Sequence, residues 1–120
     1  MKIAVTAEGQ DFSSAVDLRF GRAKWIIVVD TDTGQAQAHD NKLNLNLAQG
    51  AGIQTGQNVA NLGVEAVLTG NMGPNAFKTL AAAKVRVFLA PGKPVEQVVA
   101  AFNQGELQEL QQANVEGHWV

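Results

Sequence analysis

The residues best suited to binding chemistry lie in one short stretch, DLRFGRAKW, at positions 17–25. Its cationic side chains are Arg19, Arg22 and Lys24. They surround a Phe20–Gly21 pair in a chain whose formal net charge is −2. Guanidinium groups keep their charge at any relevant pH, Gly21 permits an irregular backbone, and Phe20 offers an apolar surface. A solvated turn before a strand is the simpler explanation of this stretch alone, whereas an anion site would explain the concentration of charge.

A second stretch, TGNMGPNAF at positions 69–77, has the composition of a ligand-binding turn. Its glycines allow the backbone to turn tightly and to approach a ligand, and Pro74 favours the first turn of a helix. The free N–H groups of a helix start point outwards at the positive end of the helix dipole. Asparagine amides and a polarisable thioether add further ligand-binding groups. The candidate residues are Gly70, Asn71, Met72, Gly73 and Asn75. An ordinary strand-to-helix turn accounts for the glycines and the proline equally well.

Two further glycine-bearing stretches are predicted to reach the same place. TAEGQDFSS (6–14) follows the first strand, and QGAGIQTG (49–56) opens the first helix. Ligands of open α/β sheets collect outside the carboxyl ends of parallel strands, so we expect both to converge there with residues 69–77. QGAGIQTG lacks the pattern of a dinucleotide fingerprint and of a P-loop. Helix packing explains Gly50 and Gly52 as well as ligand binding does.

The composition argues against catalysis and against protein-ligated metals. The chain has no cysteine and two histidines, which excludes thiolate nucleophiles, disulfides and cysteine-ligated iron–sulfur or zinc sites. The acidic residues near a predicted hairpin are Asp30, Asp32 and Asp40. Turn formation explains them better than a two-metal nuclease site does. We therefore expect a protein that is not an enzyme and that supplies no metal-ligating side chains.

The length of 120 residues fits one domain, assigned to residues 1–110, with a polar tail at 111–120. An isoelectric point near 5.6 gives no overall attraction to nucleic acid or anionic membranes. No apolar run approaches the length of a membrane span, and the N-terminal residues indicate a strand and not a signal peptide. We expect a cytoplasmic protein with neither nucleic acid nor membrane as a partner.

The periodicity of the sequence predicts a β-β-β-α-β-α-β-α order. The predicted strands lie in KIAVTA, AKWIIVVDT, QAQAHD, EAVLTG and VRVFLA, and the predicted helices lie at 48–62, in PNAFKTLAAA and in KPVEQVVAAFNQG. The second and third strands form a hairpin, and the last three βα units require parallel crossovers. This pattern predicts an α/β fold with a mixed five-stranded sheet and helices on both faces.

Four stretches, MKIAVTAEGQ, FGRAKWIIVVD, GAGIQTGQNVANLGVEAVLTGNMGPNAFKTL and AFNQGEL, occur here in the order found in a known family. Over nearly its whole length, apart from the tail, the chain resembles the dinitrogenase iron–molybdenum cofactor biosynthesis family. The resemblance implies a ribonuclease H-like, three-layer α/β/α fold that binds a preformed metal–sulfur cluster. In a small member without cysteine, this cluster is a molybdenum–copper sulfide anion held without covalent protein ligands. Many members carry a histidine where this chain has Arg19, so charge pairing is favoured here over histidine ligation.

A sulfide-capped anion is soft, large and negatively charged. It favours guanidinium groups, backbone N–H groups, a thioether and an apolar wall. We therefore predict that a molybdenum–copper sulfide cluster binds non-covalently at Arg19, Phe20, Gly21, Arg22, Gly70, Asn71, Met72, Gly73 and Asn75.

Two other functions stay open at this point. A protein-interaction or regulatory module with a vestigial pocket would use an exposed Phe20 and Trp119 as its partner surface. A small hydrolase acting on a phosphorylated ligand would depend on Asp30 and a divalent metal, but no nucleophile or base is set up for it.

Overall fold

The computed structural model describes residues 1–41 and 50–114, which form one sheet with helices on both faces. The strands are β1 (Lys2–Ala7), β2 (Trp25–Asp30), β3 (Ala36–Asp40), β4 (Ala66–Thr69) and β5 (Arg86–Leu89). The helices are α1 (Ala51–Asn61), α2 (Pro74–Ala82) and α3 (Val95–Asn103), and a 3₁₀ turn covers Phe20–Arg22. The first two residues of the predicted first helix, and Trp119, lie outside the described residues.

The sheet has the order β3-β2-β1-β4-β5. β2 pairs antiparallel with both β1 and β3, whereas β4 pairs parallel with both β1 and β5. This confirms the predicted mixed five-stranded α/β fold, including the hairpin. The carboxyl ends of β1, β4 and β5 therefore lie at one edge of the sheet, where ligands of such folds collect.

Successive side chains of the strands point to opposite faces of the sheet, and a separate core lies on each face. Ile3 and Val5 of β1 pack in the cluster that contains Val95 and Val98 of α3. The intervening Ala4 packs in the cluster that contains residues of α1 and α2. Successive strand side chains point to opposite faces, so an apolar strand needs helices on both sides, as β1 has here.

The helix boundaries follow the signals in the sequence. Pro74 occupies the first turn of α2, as predicted. Gly63 follows α1 and Gly105 follows α3, and both adopt the left-handed conformation (φ +73° and +74°) that ends a helix. The N–H groups of Val95 and Glu96 at the start of α3 donate to the carbonyls of Ser14 and Phe12. The 6–14 stretch therefore caps α3.

The polypeptide after α3 packs along the edge strand β5. The Leu89 N–H donates to the carbonyl of Gln108, and the Leu110 N–H donates to the carbonyl of Val87, each at 2.8 Å. The guanidinium of Arg86 lies 2.6 Å from the carboxylate of Glu109. This pairing covers the outer edge of β5, which limits edge-to-edge association. No helix in the described residues is long and apolar enough to cross a membrane.

Replacing Glu109 by Gln tests the contribution of this ion pair. Hydrogen bonding to Arg86 lowers the pKa of the Glu109 carboxyl. A lowered pKa in the folded state contributes stability above the unfolded-state pKa, and that stability is lost as the pH falls through the folded-state pKa. Glu109→Gln should therefore lower the melting temperature slightly at about pH 7, and this difference should shrink as the pH falls through the folded-state pKa of Glu109, below which the carboxyl is neutral like the amide. A decrease that stays the same as the pH is lowered would contradict the ionic contribution.

Candidate functional site

The positive stretch and the glycine stretch meet as backbone neighbours. Arg19 and Asn71 form a parallel bridge outside the named strands. The N–H of Phe20 donates to the carbonyl of Asn71 at 3.1 Å, and the N–H of Asn71 donates to the carbonyl of Leu18. We call this pairing the Arg19–Asn71 junction. It extends the parallel sheet by one short step beyond β4 and places a cationic side chain beside an amide side chain at the predicted edge.

A buried polar network fixes the junction to the sheet. The hydroxyl of Thr6, at the end of β1, donates to the carbonyl of Asp17 at 2.8 Å and lies 2.7 Å from the hydroxyl of Thr69 in β4. The N–H of Asp17 donates back to the carbonyl of Thr6 at 2.9 Å. Both threonines are fully buried. Because buried polar groups are costly unless paired, this network strongly favours one position for the chain entering the positive stretch.

Asp17 adds a buried carboxylate directly before the cations. Its side chain is close to fully buried, and its Oδ1 accepts the N–H of Arg19 at 3.0 Å. An aspartate that accepts the N–H two residues on forms an Asx-turn. Asp17 therefore shapes the backbone that presents Arg19. This role of Asp17 was not predicted from the sequence, although the D-x-R spacing is a local signal for it.

Two predicted ligand-facing residues are core residues. Phe20 and Met72 were expected to present an apolar surface and a thioether, but both side chains are fully buried in the cluster beneath α1 and α2. The physical reason is the large apolar area of these side chains, because burying a phenyl ring or a methionine chain is more favourable than leaving it exposed in a loop. The exposed Phe20 of the interaction-module hypothesis is therefore wrong. These two side chains anchor the stretches that carry Arg19 and Asn71.

The 3₁₀ turn is also tied to α1. The hydroxyl of Thr55 donates to the carbonyl of Gly21 at 3.4 Å, and the side-chain amide of Asn41 donates to the carbonyl of Ala23 at 2.9 Å. The same amide donates to Thr55 at 3.1 Å. Gly21 is buried and Arg22 is half-buried, whereas Arg19 is exposed. Of the two predicted arginines, Arg19 thus has the side chain more open to an external ligand.

The start of α2 lies just beyond the junction. Gly73 is its N-cap and is buried, Asn75 is exposed, and no described side chain caps the first N–H groups of the helix. These N–H groups carry the positive end of the helix dipole. Ala76 lies in the same core cluster as Phe20 and Met72, so one cluster anchors both the start of α2 and the 3₁₀ turn.

An open cavity of about 550 Å³ lies against the junction. It is lined by Leu18, Gly70, Asn71, Leu89, Ala90, Pro91, Gly92, Glu106, Leu107 and Gln108. Leu18 and Leu89 are among the few large apolar side chains that are strongly exposed in the described residues. Glu106 is the acidic residue of the lining. The cavity therefore offers a mainly apolar wall beside Gly70 and Asn71, two of the predicted ligand-binding residues.

Other sequence candidates lie elsewhere. The N–H of Asp32 donates to the carboxylate of Asp30, and the carboxylate of Asp32 accepts the terminal ammonium of Met1 at 2.9 Å. These acids shape the hairpin, as the sequence analysis expected. Within residues 1–41 and 50–114, no three His, Asp or Glu side chains cluster in a way that could hold a metal ion.

Asn114 is a further residue at the site that the sequence did not predict, since it lies in the predicted polar tail. The side chain of Asn114 accepts the N–H of Met72 at 2.8 Å and donates to the carbonyl of Gly70 at 3.0 Å. No periodicity or motif marks this residue, because its role depends on the path of the chain around β5. The end of the described chain is therefore docked on the glycine stretch.

The fold and the site define a class of small α/β proteins that present a cation and an apolar cavity at the carboxyl edge of a mixed sheet. The family model described as dinitrogenase iron–molybdenum cofactor matches residues 1–105. The chain belongs to this family, as its sequence motifs predicted.

Solved structures agree with this assignment. The apo form of the orange protein from Desulfovibrio gigas is 41% identical, superposes with a TM-score of 0.92, and the match covers 95% of this chain and 96% of that one. A putative NifB protein from Thermotoga is 37% identical with a TM-score of 0.84, covering 97% and 98%. In a comparison of sequences alone, an uncharacterised protein of Methanocaldococcus jannaschii is 25% identical over 113 residues, covering 92% of each chain.

The close approach at the junction predicts an asymmetric response to two glycine substitutions. A Cβ at position 70 would lie 2.7–2.8 Å from atoms of Leu18, including its Cα. A Cβ at position 92 would lie 3.5 Å from the Leu18 side chain, which is an ordinary contact. We expect Gly70→Ala to lower the free energy of unfolding by about 1–3 kcal/mol. Gly92→Ala should change it by less than about 0.5 kcal/mol. Urea denaturation measures both, and equal effects would contradict the packing argument.

Proposed function

We propose that this protein binds and carries an anionic molybdenum–copper sulfide cluster, non-covalently, at the Arg19–Asn71 junction. The observation that carries the proposal is the junction itself, where a cationic stretch and a glycine stretch from distant parts of the sequence are paired beside an open cavity. Membership of the family supports a metal–sulfur cluster as the class of ligand. The cluster is cargo in this proposal, and the protein is not an enzyme.

The available donors suit a ligand that brings its own sulfides. The chain has no cysteine, so it cannot hold a metal cluster through thiolates. Arg19 can donate charge-assisted hydrogen bonds to an anion, and the Asn71 side chain can donate neutral ones. Leu18 and Leu89 provide apolar surface that a large, weakly hydrated anion tolerates better than a small, strongly hydrated one does. Hydrogen-bonding and apolar groups thus line the cavity, and Arg19 supplies positive charge from the position next to Leu18.

The first N–H groups of α2 supply further positive potential. Gly73 caps this helix without contributing a side chain, and Asn75 extends from it into solvent. Backbone N–H groups bind anions without any protonation change. Glu106 opposes an anion, but it is exposed, so water and salt screen its charge. The helix start and Arg19 together favour an anion over a cation at this edge.

Phe20 and Met72 have a different role in this proposal from the one that the sequence predicted. Their buried side chains do not contact the cluster but hold the two stretches in register. An interaction module remains the alternative function, and it now depends on Leu18 and Leu89 as the apolar surface. Metal retention separates the two functions, since a partner-binding surface has no reason to retain molybdenum and copper.

The direct test is a titration of metal-free protein with tetrathiomolybdate and then copper, followed by visible absorption and by metal analysis after desalting. We expect charge-transfer bands that remain with the protein at a fixed molybdenum-to-copper ratio. Colour that separates from the protein on desalting would exclude the carrier function and favour the interaction module.

Variants of the cationic residues test the location. Arg19→Ala removes a charge-assisted interaction and should weaken cluster retention by about 10- to 100-fold, with Arg22→Ala as a second variant on the 3₁₀ turn. Arg19→Lys should retain part of the affinity, because it keeps the charge but loses the planar fork. Lys2→Ala is the matched control, since Lys2 is an exposed cation at the start of β1, at the opposite edge of the sheet. Equal weakening by Arg19→Ala and Lys2→Ala would reject the junction as the site.

A further inference from the structure

The segment after α3, residues 106–114, connects the outer edge of the sheet to the candidate site. Its first part pairs with β5 through the backbone groups of Gln108 and Leu110. Its last described residue, Asn114, reaches the glycine stretch between β4 and α2. One short segment thus contacts β5, the cavity and the site backbone. We call it the strap.

Asn114 pairs with the glycine stretch as a neighbouring strand would. Its Oδ1 accepts the Met72 N–H at 2.8 Å, and its Nδ2 donates to the Gly70 carbonyl at 3.0 Å. Its own N–H donates to the Met72 carbonyl at 3.2 Å. The peptide groups of Asn71, between these two residues, pair with residues 18–20 on the other side. The glycine stretch is therefore held from both sides, by the junction and by Asn114.

The strap also forms part of the cavity wall. Glu106, Leu107 and Gln108 line the cavity opposite Leu18, Gly70 and Asn71. If the strap left β5, one side of this wall would leave with it. The complete cavity therefore exists only while the strap is docked, and a ligand that fills it contacts both the junction and the strap.

The strap is attached to the cores only in part, because Leu107 and Leu110 pack against them but stay half-buried. Its residues are exposed or half-buried, and its Arg86–Glu109 ion pair lies at the surface. Segments with exposed backbone hydrogen bonds and little apolar burial open at a lower free-energy cost than core strands do. We therefore expect the strap to open at a lower free-energy cost than β5 and the two cores.

We propose that the strap closes the ligand cavity and that Asn114 is the positioning residue that latches it. The proposal rests on the proposed cluster-binding function. A ligand in the cavity stabilises the docked strap, and by thermodynamic reciprocity the docked strap stabilises the ligand. Opening of the strap then sets the rate at which the cargo leaves.

The kinetic test compares Asn114→Ala with Gln112→Ala after loading each protein with tetrathiomolybdate and copper. Gln112 is exposed on the same strap, and no hydrogen bond joins its side chain to a described residue. Removing the two Asn114 side-chain hydrogen bonds should speed loss of the cluster about five- to tenfold, with unchanged loading stoichiometry. Gln112→Ala should lose the cluster at the wild-type rate.

A second measurement does not depend on any variant. Hydrogen exchange of the wild-type protein should slow on cluster loading at the amides of Leu89, Leu110 and Asn114, which the docked strap protects. The Asp30 amide, which bonds to the carbonyl of Gln35 in the remote hairpin, should be unaffected. This readout tests whether loading stabilises the docked strap, whatever effect the Asn114 variant has on folding.

The outcomes distinguish the two proposals. If the wild type retains the cluster but Asn114→Ala loses it no faster than Gln112→Ala, the strap is rejected and the carrier function stands. Unchanged exchange at Leu89 and Leu110 on loading rejects the strap in the same way. If the wild type does not retain the cluster after desalting, the carrier function fails, and the strap proposal fails with it.

Discussion

The structure of the candidate site depends on one close approach, that of residue 70 to Leu18. A side chain at position 70 would put a Cβ 2.8 Å from the Leu18 Cα, so only glycine allows the two backbones to pair. This pairing extends the parallel sheet beyond β4 and forms the Arg19–Asn71 junction. The Thr6–Asp17–Thr69 network fixes the same approach from below, because its members are buried and must satisfy one another. This contact brings Arg19, the cavity and the start of α2 close to one another.

The proposed soft-anion site would place unusual demands on a protein. It would need positive charge and apolar surface side by side, with both left outside the core. The structure divides these roles within each stretch. Phe20 and Met72 are buried and hold the backbone, whereas Arg19 and Asn71 are left at the surface. The proposed binding without covalent protein ligands would need neither cysteine nor histidine, in agreement with the composition.

The strap, residues 106–114, covers both the edge strand β5 and one side of the candidate site. Pairing with β5 protects an exposed edge, which sheets need in any case. Continuing that path by a few residues brings Asn114 to the glycine stretch. The strap, which protects the edge of β5, is thereby also placed where it can close the cavity beside the junction. In the strap proposal, ligand binding in the cavity and docking of the strap on β5 are therefore coupled.

The sequence by itself determined the α/β order, the hairpin, the helix ends at Gly63 and Gly105, and the meeting of the positive and glycine stretches. Each of these follows from a local signal, such as alternation, a glycine after a helix, or the rule that parallel strands end at one edge. Tertiary structure alone decided that Phe20 and Met72 are buried and that Asn114 docks on the glycine stretch. Burial is a competition for apolar area across the whole fold, and docking depends on contacts between residues distant in sequence. Neither quantity can be read from a short window of residues.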